Sequence, residues 1–420
     1  MQRSRNSSRL ALVLSALALF GGAASAQDRA WAVLVYVMAD NNDEPRKLAE
    51  FIAWGIKTYP AQQYALVVWD HGGAWPGYGE DDAHDGAGFD LAALTGAIGA
   101  GLKGGGVKQF DLDGFDACLM ATYEVARSVR PLTKYFLASE ELEPGHGWDY
   151  SVLTALGKSP DTETLGKTII KGFADSSTRE GDREEISLSL LNLQKMDSLD
   201  KALGSFANFG RTKINQIAPQ LGRIQNKTQG FGKSAKPEND TNMIDLGQFI
   251  SLYAENDKSA SAIKQQFDAA LAALVVDKVS GNLTKGSTGL SIYFPNQKRY
   301  YSASSDAIDS GPWKALLADY YKSGSSLSPP KDAGNYILAF ANADNTGEVS
   351  GTWDRQALKM KQGESETEAT TGIGFDPTKG LSYDYEALDA KTTDIYLELE
   401  IYDVGDNSDY INYKGSAAKI

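Results

Sequence analysis

Two residues of this chain are equipped to do chemistry together. Cys118 is the single cysteine, and His71 is one of three histidines. A lone thiol can form no intramolecular disulfide, so it is either a small buried filler or a reactive group. Its setting points to the second. Phe110 to Ala117 reads as a strand, Leu119 to Val129 as a helix stopped by Pro131, and Cys118 stands between them. A thiol at a helix N-terminus faces free backbone N–H groups and the positive end of the dipole, which lower its pKa. The thiolate is the attacking form. His71 follows a second strand, Tyr64 to Trp69, and runs straight into Gly72 and Gly73. An imidazole there can carry a proton. Glycine amides, free of Cβ, can approach a carbonyl oxygen closely. The expected chemistry is attack on a carbonyl, with Cys118 as nucleophile, His71 as its catalytic partner, and the Gly72 and Cys118 amides as oxyanion donors.

The elements that must position these residues are legible in the apolar pattern. Trp31 to Met38 is a continuous apolar, β-branched run, as expected of a strand buried on both faces of a parallel sheet. Arg46 to Thr58 follows with helical spacing and is stopped by Pro60. Leu91 to Leu102 reads as a helix weakened by Gly96, Gly99 and Gly101. Tyr135 to Ala138 is a fourth strand. Ile186, Leu188 and Leu190 alternate with serines as a half-buried strand. Met196 to Phe209 and Ile263 to Leu274 read as helices, and Leu290 to Phe294 as a late strand. Strand and helix alternate, which predicts an α/β fold with a mainly parallel sheet flanked by helices. Ligands bind beyond the carboxyl ends of such strands. The four early strands end in Asp40-Asn41-Asn42, Asp70-His71, Asp116-Ala117-Cys118 and Ser139-Glu140-Glu141, so polar groups converge on one sheet edge.

Composition bounds the rest. The net charge of -14 argues against a nucleic-acid surface, which needs a basic patch. Arg3, Arg5 and Arg9, an apolar run from Leu10 to Phe20, and Ala24-Ser25-Ala26 have the form of a signal peptide over residues 1–26, with the mature chain starting at Gln27. The run is too short to span a bilayer, and no membrane span is expected after its removal. The expected compartment is therefore periplasmic or extracellular. A Ser/Pro/Gly run from Ser323 to Gly334 contains a linker at 326–334. Beyond it, Ile395, Leu397, Leu399 and Ile401 alternate with polar residues, which predicts a small β-rich, sandwich-like domain over 335–420.

Read together, Trp69-Asp70-His71-Gly72-Gly73, Asp113-Gly114-Phe115-Asp116-Ala117-Cys118-Leu119-Met120, Ala138-Ser139-Glu140-Glu141 and Glu143-Pro144-Gly145 resemble the clostripain family of cysteine peptidases. The histidine-first order also matches caspase-type sites. The resemblance implies a caspase-like fold over 27–325, a Cys118–His71 dyad with no third member, and protein or peptide substrates cut through a thioester. It also implies a pocket for a basic side chain, with Asp116 at its base and Ser139 and the residue at 146 shaping it. Position 146, where the family carries a second acid, is His146 here. The family also has a few dozen further residues between Asn42 and Arg46, holding another strand. Their absence predicts an exposed sheet edge. No Lys or Arg lies between His71 and Leu102, so self-cleavage in that loop is not expected. The alternative is a catalytically impaired relative acting as a surface or protein-binding module.

No cofactor is expected. Calcium is the one candidate, because Glu80, Asp81, Asp82 and Asp85 cluster after His71, and Asp403, Asp406, Asn407 and Asp409 cluster near the C-terminus. A solvated acidic loop explains both clusters as well. No metal site is read from the histidines, including His84, because their spacing fits none.

Overall fold

A computed structural model of the chain describes residues 29–38, 44–81, 87–155, 160–233, 240–296 and 298–323, together with strand segments at 13–14 and beyond residue 335. The elements in chain order are β1 (Val13–Leu14), β2 (Trp31–Val37), α1 (Pro45–Thr58), β3 (Gln63–Trp69), β4 (Tyr78–Asp81), β5 (Ala87–Phe89), α2 (Leu91–Gly105), β6 (Phe110–Asp116), α3 (Tyr123–Val129), β7 (Thr133–Ala138), α4 (Thr162–Glu180), β8 (Ser187–Asn192), α5 (Met196–Thr212), α6 (Ile214–Lys227), β9 (Gly230–Phe231), β10 (Met243–Asp245), α7 (Leu246–Asn256), α8 (Ser261–Leu274), β11 (Val275–Ser280), β12 (Ser291–Tyr293) and α9 (Gly311–Lys322).

The main sheet has the order β1-β2-β3-β6-β7-β8-β11. Strands β2, β3, β6 and β7 run parallel, while β8 and β11 close one side antiparallel. The α/β reading with a mainly parallel sheet therefore holds. Alternation along β2 sends Ala32, Leu34 and Tyr36 to one face and Trp31, Val33 and Val35 to the other. The first face is covered by α1, α2, α3 and the later helices; the second is covered by α4. Both faces are dry, which is why the early strands read as unbroken apolar runs.

Two expectations need correcting. Helix α3 starts at Tyr123, not Leu119, so Cys118 does not stand at a helix N-terminus. Residues 119–122 serve other partners: Leu119 N–H donates to Glu141 O and Ala121 N–H to Ser139 O, while Ser291 N–H donates to Ala121 O. Leu119 takes a left-handed φ of 65°, which breaks any helix there. The lowered thiol pKa expected from the helix dipole loses its basis. Second, β8 is buried on both faces, and its serines are paired: Ser187 Oγ accepts from Glu140 and Glu141 N–H, and Ser189 Oγ donates to Gly289 O. The late strand read at Leu290 to Phe294 is present as β12, in a separate small sheet, β12-β10-β9.

Helix α2 runs through its glycines to Gly105. Gly101 and Gly105 lie against Ile52 and Ile56 of α1, with the missing Cβ atoms 2.6 and 2.7 Å from those side chains. The close approach of two helices offsets the poor helix propensity of glycine.

At the edge of β2, where an open strand was expected, β1 pairs antiparallel through Val13↔Leu34 and Leu14↔Val33. Cleavage before Gln27 would remove β1 and leave β2 as the edge. The strands after residue 335, β13 (Tyr336–Leu338), β14 (Thr352–Gln362), β15 (Ser365–Glu368), β16 (Ile373–Asp376), β17 (Gly380–Tyr383), β18 (Thr392–Tyr402) and β19 (Ile411–Ser416), form antiparallel sheets of three and four strands. The linker at 326–334 and the rest of the leader lie outside the described residues. Among the described residues, no helix is long and apolar enough to cross a membrane.

Candidate active site

Parallel pairing of β3 with β6 sets Trp69 opposite Asp116. His71 and Cys118 each stand two residues further on, at neighbouring exits of the same sheet edge. The loop after His71 is a tight hairpin. Gly79 N–H donates to His71 O at 2.7 Å, Gly73 N–H to Gly77 O at 2.9 Å, and Gly72 forms an isolated bridge with Tyr78. This presses Gly72 directly onto Cys118: a Cβ on Gly72 would lie 2.0 Å from the Cys118 carbonyl oxygen.

The Cys118 sulfur is half-buried within a ring of backbone donors. Glu143 N–H donates to it at 3.2 Å. The Gly72 amide and the amide of Cys118 itself lie near the sulfur and also favour its ionised form. Burial outweighs them and pushes the thiol pKa up, and the nearby Glu141 carboxylate adds to the rise. The resting group is a thiol, so attack on a carbonyl needs a base to take its proton. His71 is exposed on the adjacent loop.

Asp116 is 3% exposed, on the sheet face opposite α3. Its oxygens each accept the Trp148 N–H at 3.2 Å, and Oδ2 accepts the Tyr150 hydroxyl at 2.6 Å. Glu143 is half-buried, and its carboxyl lies beside Asp116 with Oε2 shielded from solvent. Glu143 Oε1 accepts the Trp148 indole N–H at 3.3 Å.

The model of the clostripain family, peptidase family C11, matches residues 27–323. The chain belongs to the clostripain family. Clostripain of Hathewaya histolytica is 25% identical over 323 residues, 62% of this chain and 59% of clostripain, so the match spans less than two thirds of that relative's length. Among solved structures, a secreted C11 cysteine protease from Bacteroides thetaiotaomicron in complex with an irreversible peptide inhibitor aligns over 65% of this chain and 77% of its own, at 17% identity and a TM-score of 0.48. An inactive zymogen C11 protease from Parabacteroides distasonis aligns over 67% and 77%, at 19% identity and the same TM-score of 0.48.

Of the pocket residues implied by the family resemblance, the structure brings only Asp116 close behind Cys118. Ser139 is fully buried, with its hydroxyl held by Glu141 O at 2.8 Å and Ser187 Oγ at 3.0 Å. It fixes the 139–141 turn from beneath and lines no pocket. His146 turns to α4: its ring packs 6.0 Å from Phe173, Nδ1 meets Gly147 O at 2.7 Å, and Nε2 lies 3.8 Å from Asp182 Oδ2. The second acid beside Asp116 is Glu143 instead. In the sequence Glu143 is marked only as part of Glu143-Pro144-Gly145 within the family resemblance, with no sign that its side chain meets Asp116. Trp148 and Tyr150, which hold Asp116, carried no signal in the sequence.

Among the described residues, no group of three His, Cys, Asp or Glu side chains could hold a metal ion. Of the two acidic clusters, Asp82, Asp85, Asp403, Asp406, Asn407 and Asp409 lie outside the described residues, as does His84.

Proposed function

We propose that the chain is an exported cysteine endopeptidase with a preference for basic side chains before the cut. One observation carries the reading: Gly72 is pressed onto the Cys118 backbone, and the Glu143 N–H donates to the sulfur. Backbone donors fixed around a nucleophile are the arrangement that stabilises an oxyanion without reorganisation.

As the sulfur attacks the substrate carbonyl, the thiol proton passes to His71. The new C–S bond gives a tetrahedral oxyanion held by the Gly72 and Cys118 N–H groups. The C–N bond then breaks, and His71 gives its proton to the leaving amine. Water attacks the thioester, loses a proton to His71, and the thiol is regenerated as the acid product leaves. The basic preference is supported by Asp116, with Glu143 supplying the second acid that position 146 lacks. Export is supported by the basic, apolar and small-residue segments of residues 1–26.

The test is cleavage of a diverse peptide library, read by mass spectrometry, for the chain starting at Gln27. Cuts are expected after Arg or Lys. Cys118→Ala is expected to lower kcat by about 10⁴-fold or more, and His71→Ala by a comparable factor. Cleavage that survives Cys118→Ala at the wild-type rate would remove the mechanism.

A further inference from the structure

Asp116 and Glu143 are more than two negative charges. Both carboxyls are held by Trp148, with Asp116 buried and Glu143 Oε2 shielded from solvent, and two neighbouring carboxylates so placed do not ionise together. The donors show where the shared proton belongs. Asp116 accepts the Trp148 amide on both oxygens and the Tyr150 hydroxyl on one. Glu143 accepts only the Trp148 indole, on Oε1, and its buried Oε2 meets no donor. The donors stabilise charge on Asp116, so the proton sits on Glu143. Burial and the Asp116 charge push the Glu143 carboxyl well up, in agreement with that placement.

The pair is close to the surface at one point. Gly147 has a left-handed φ of 61°, and its missing Cβ would lie 3.0 Å from both Asp116 oxygens and from the Trp69 indole nitrogen. Trp69 is 38% exposed. Gly147 is itself buried, so the part-exposed Trp69 indole is what separates the acids from solvent. The other titratable groups facing the pair are Tyr150, Tyr78, Cys118 and His146.

We infer that Glu143 is a specificity-determining residue that keeps a proton while the site is empty and gives it up to solvent when a guanidinium or ammonium group enters beside Asp116. Each binding event exchanges one proton for one cation. Before it, the pair carries one negative charge; after it, two negative charges face one positive charge. No other bond forms or breaks. The inference rests on the basic preference proposed above and adds the exchange.

The consequence is a pH dependence confined to basic substrates. For two peptides that differ only in arginine or citrulline before the cut, the titrations of Cys118 and His71 act on both and cancel in the ratio of kcat/KM. That ratio is expected to rise up to tenfold per pH unit below the Glu143 titration. Glu143→Gln keeps the shape but has no proton to release, so its ratio is expected to be flat with pH. His146→Gln is expected to keep the slope, which separates the pair from the nearby imidazole.

A second measurement does not need the Glu143 variant. Calorimetric binding of the arginine peptide to Cys118→Ala, in two buffers of different ionisation enthalpy, is expected to show one proton released, and the citrulline peptide none. An arginine preference of constant size across pH, with no proton released, overturns the exchange and leaves the basic preference standing. No arginine preference at any pH overturns both.

Discussion

Gly72→Ala is expected to lower kcat by about 10²–10³-fold, with KM changed much less. The added Cβ would meet the Cys118 carbonyl oxygen at 2.0 Å and the Cys118 nitrogen at 3.0 Å. Both are backbone atoms held by strand β6 and by the Leu119 N–H bond to Glu141 O, so they have little room to give way. The hairpin carrying Gly72 must move instead, and it takes the Gly72 amide off the sulfur. The effect falls on kcat because the oxyanion exists only after attack. A thermal melt near that of wild type, together with the kinetics, separates a lost donor from a lost fold. A variant that melts normally and keeps kcat within a few-fold would show that the Gly72 amide is not an oxyanion donor.

Asp113→Val is expected to raise stability by about 1–3 kcal/mol at neutral pH. Asp113 lies mid-strand in β6, between Leu66 of β3 and Phe136 of β7, and all three are fully buried. Neither of its carboxyl oxygens has a hydrogen-bond partner. Valine removes the unpaired polar group and suits a strand position. The sign of the pH dependence follows from burial, which pushes the Asp113 pKa well up. An acid whose folded pKa is raised binds its proton more tightly when folded. Ionisation adds no penalty below its unfolded pKa of about 3.9, and the added penalty grows from there until the folded pKa is reached. The gain from Asp113→Val should therefore be small near pH 4 and larger at pH 7, as read from denaturant melts at both. Glu124, pushed by burial to about 7, loses wild-type stability over the same range, but equally in both proteins, so it drops out of the difference. A variant less stable than wild type at pH 7 would mean that Asp113 has a partner worth more than its burial costs.

The sequence alone determined the frame and nominated the two residues proposed to react. Strands β2, β3, β6 and β7 are legible because each is buried on both faces and so must be apolar along its whole length. Cys118 and His71 are legible because strand exits on one sheet edge are where chains meet ligands, and both residue types are scarce here. The α2 glycines misled in one direction only: local propensity marked a weak helix, and contact with Ile52 and Ile56 overruled it.

Tertiary structure decided the surroundings of the thiol. Residues 119–122 have the composition of a helix start, yet bonds to 139, 141 and 291 take their backbone groups, and the dipole expected at Cys118 is absent. Ser139 looked like a pocket residue and is a buried brace. His146 turned to α4, and Glu143 took the place beside Asp116. None of this is periodic in the sequence. It depends on which side chains from distant segments meet in a space without water, where a carboxyl keeps its proton or loses it according to the donors that reach it. The scarce residues nominated the atoms proposed to react. Only the packing decided that burial raises the thiol pKa and that Glu143, not residue 146, stands beside Asp116.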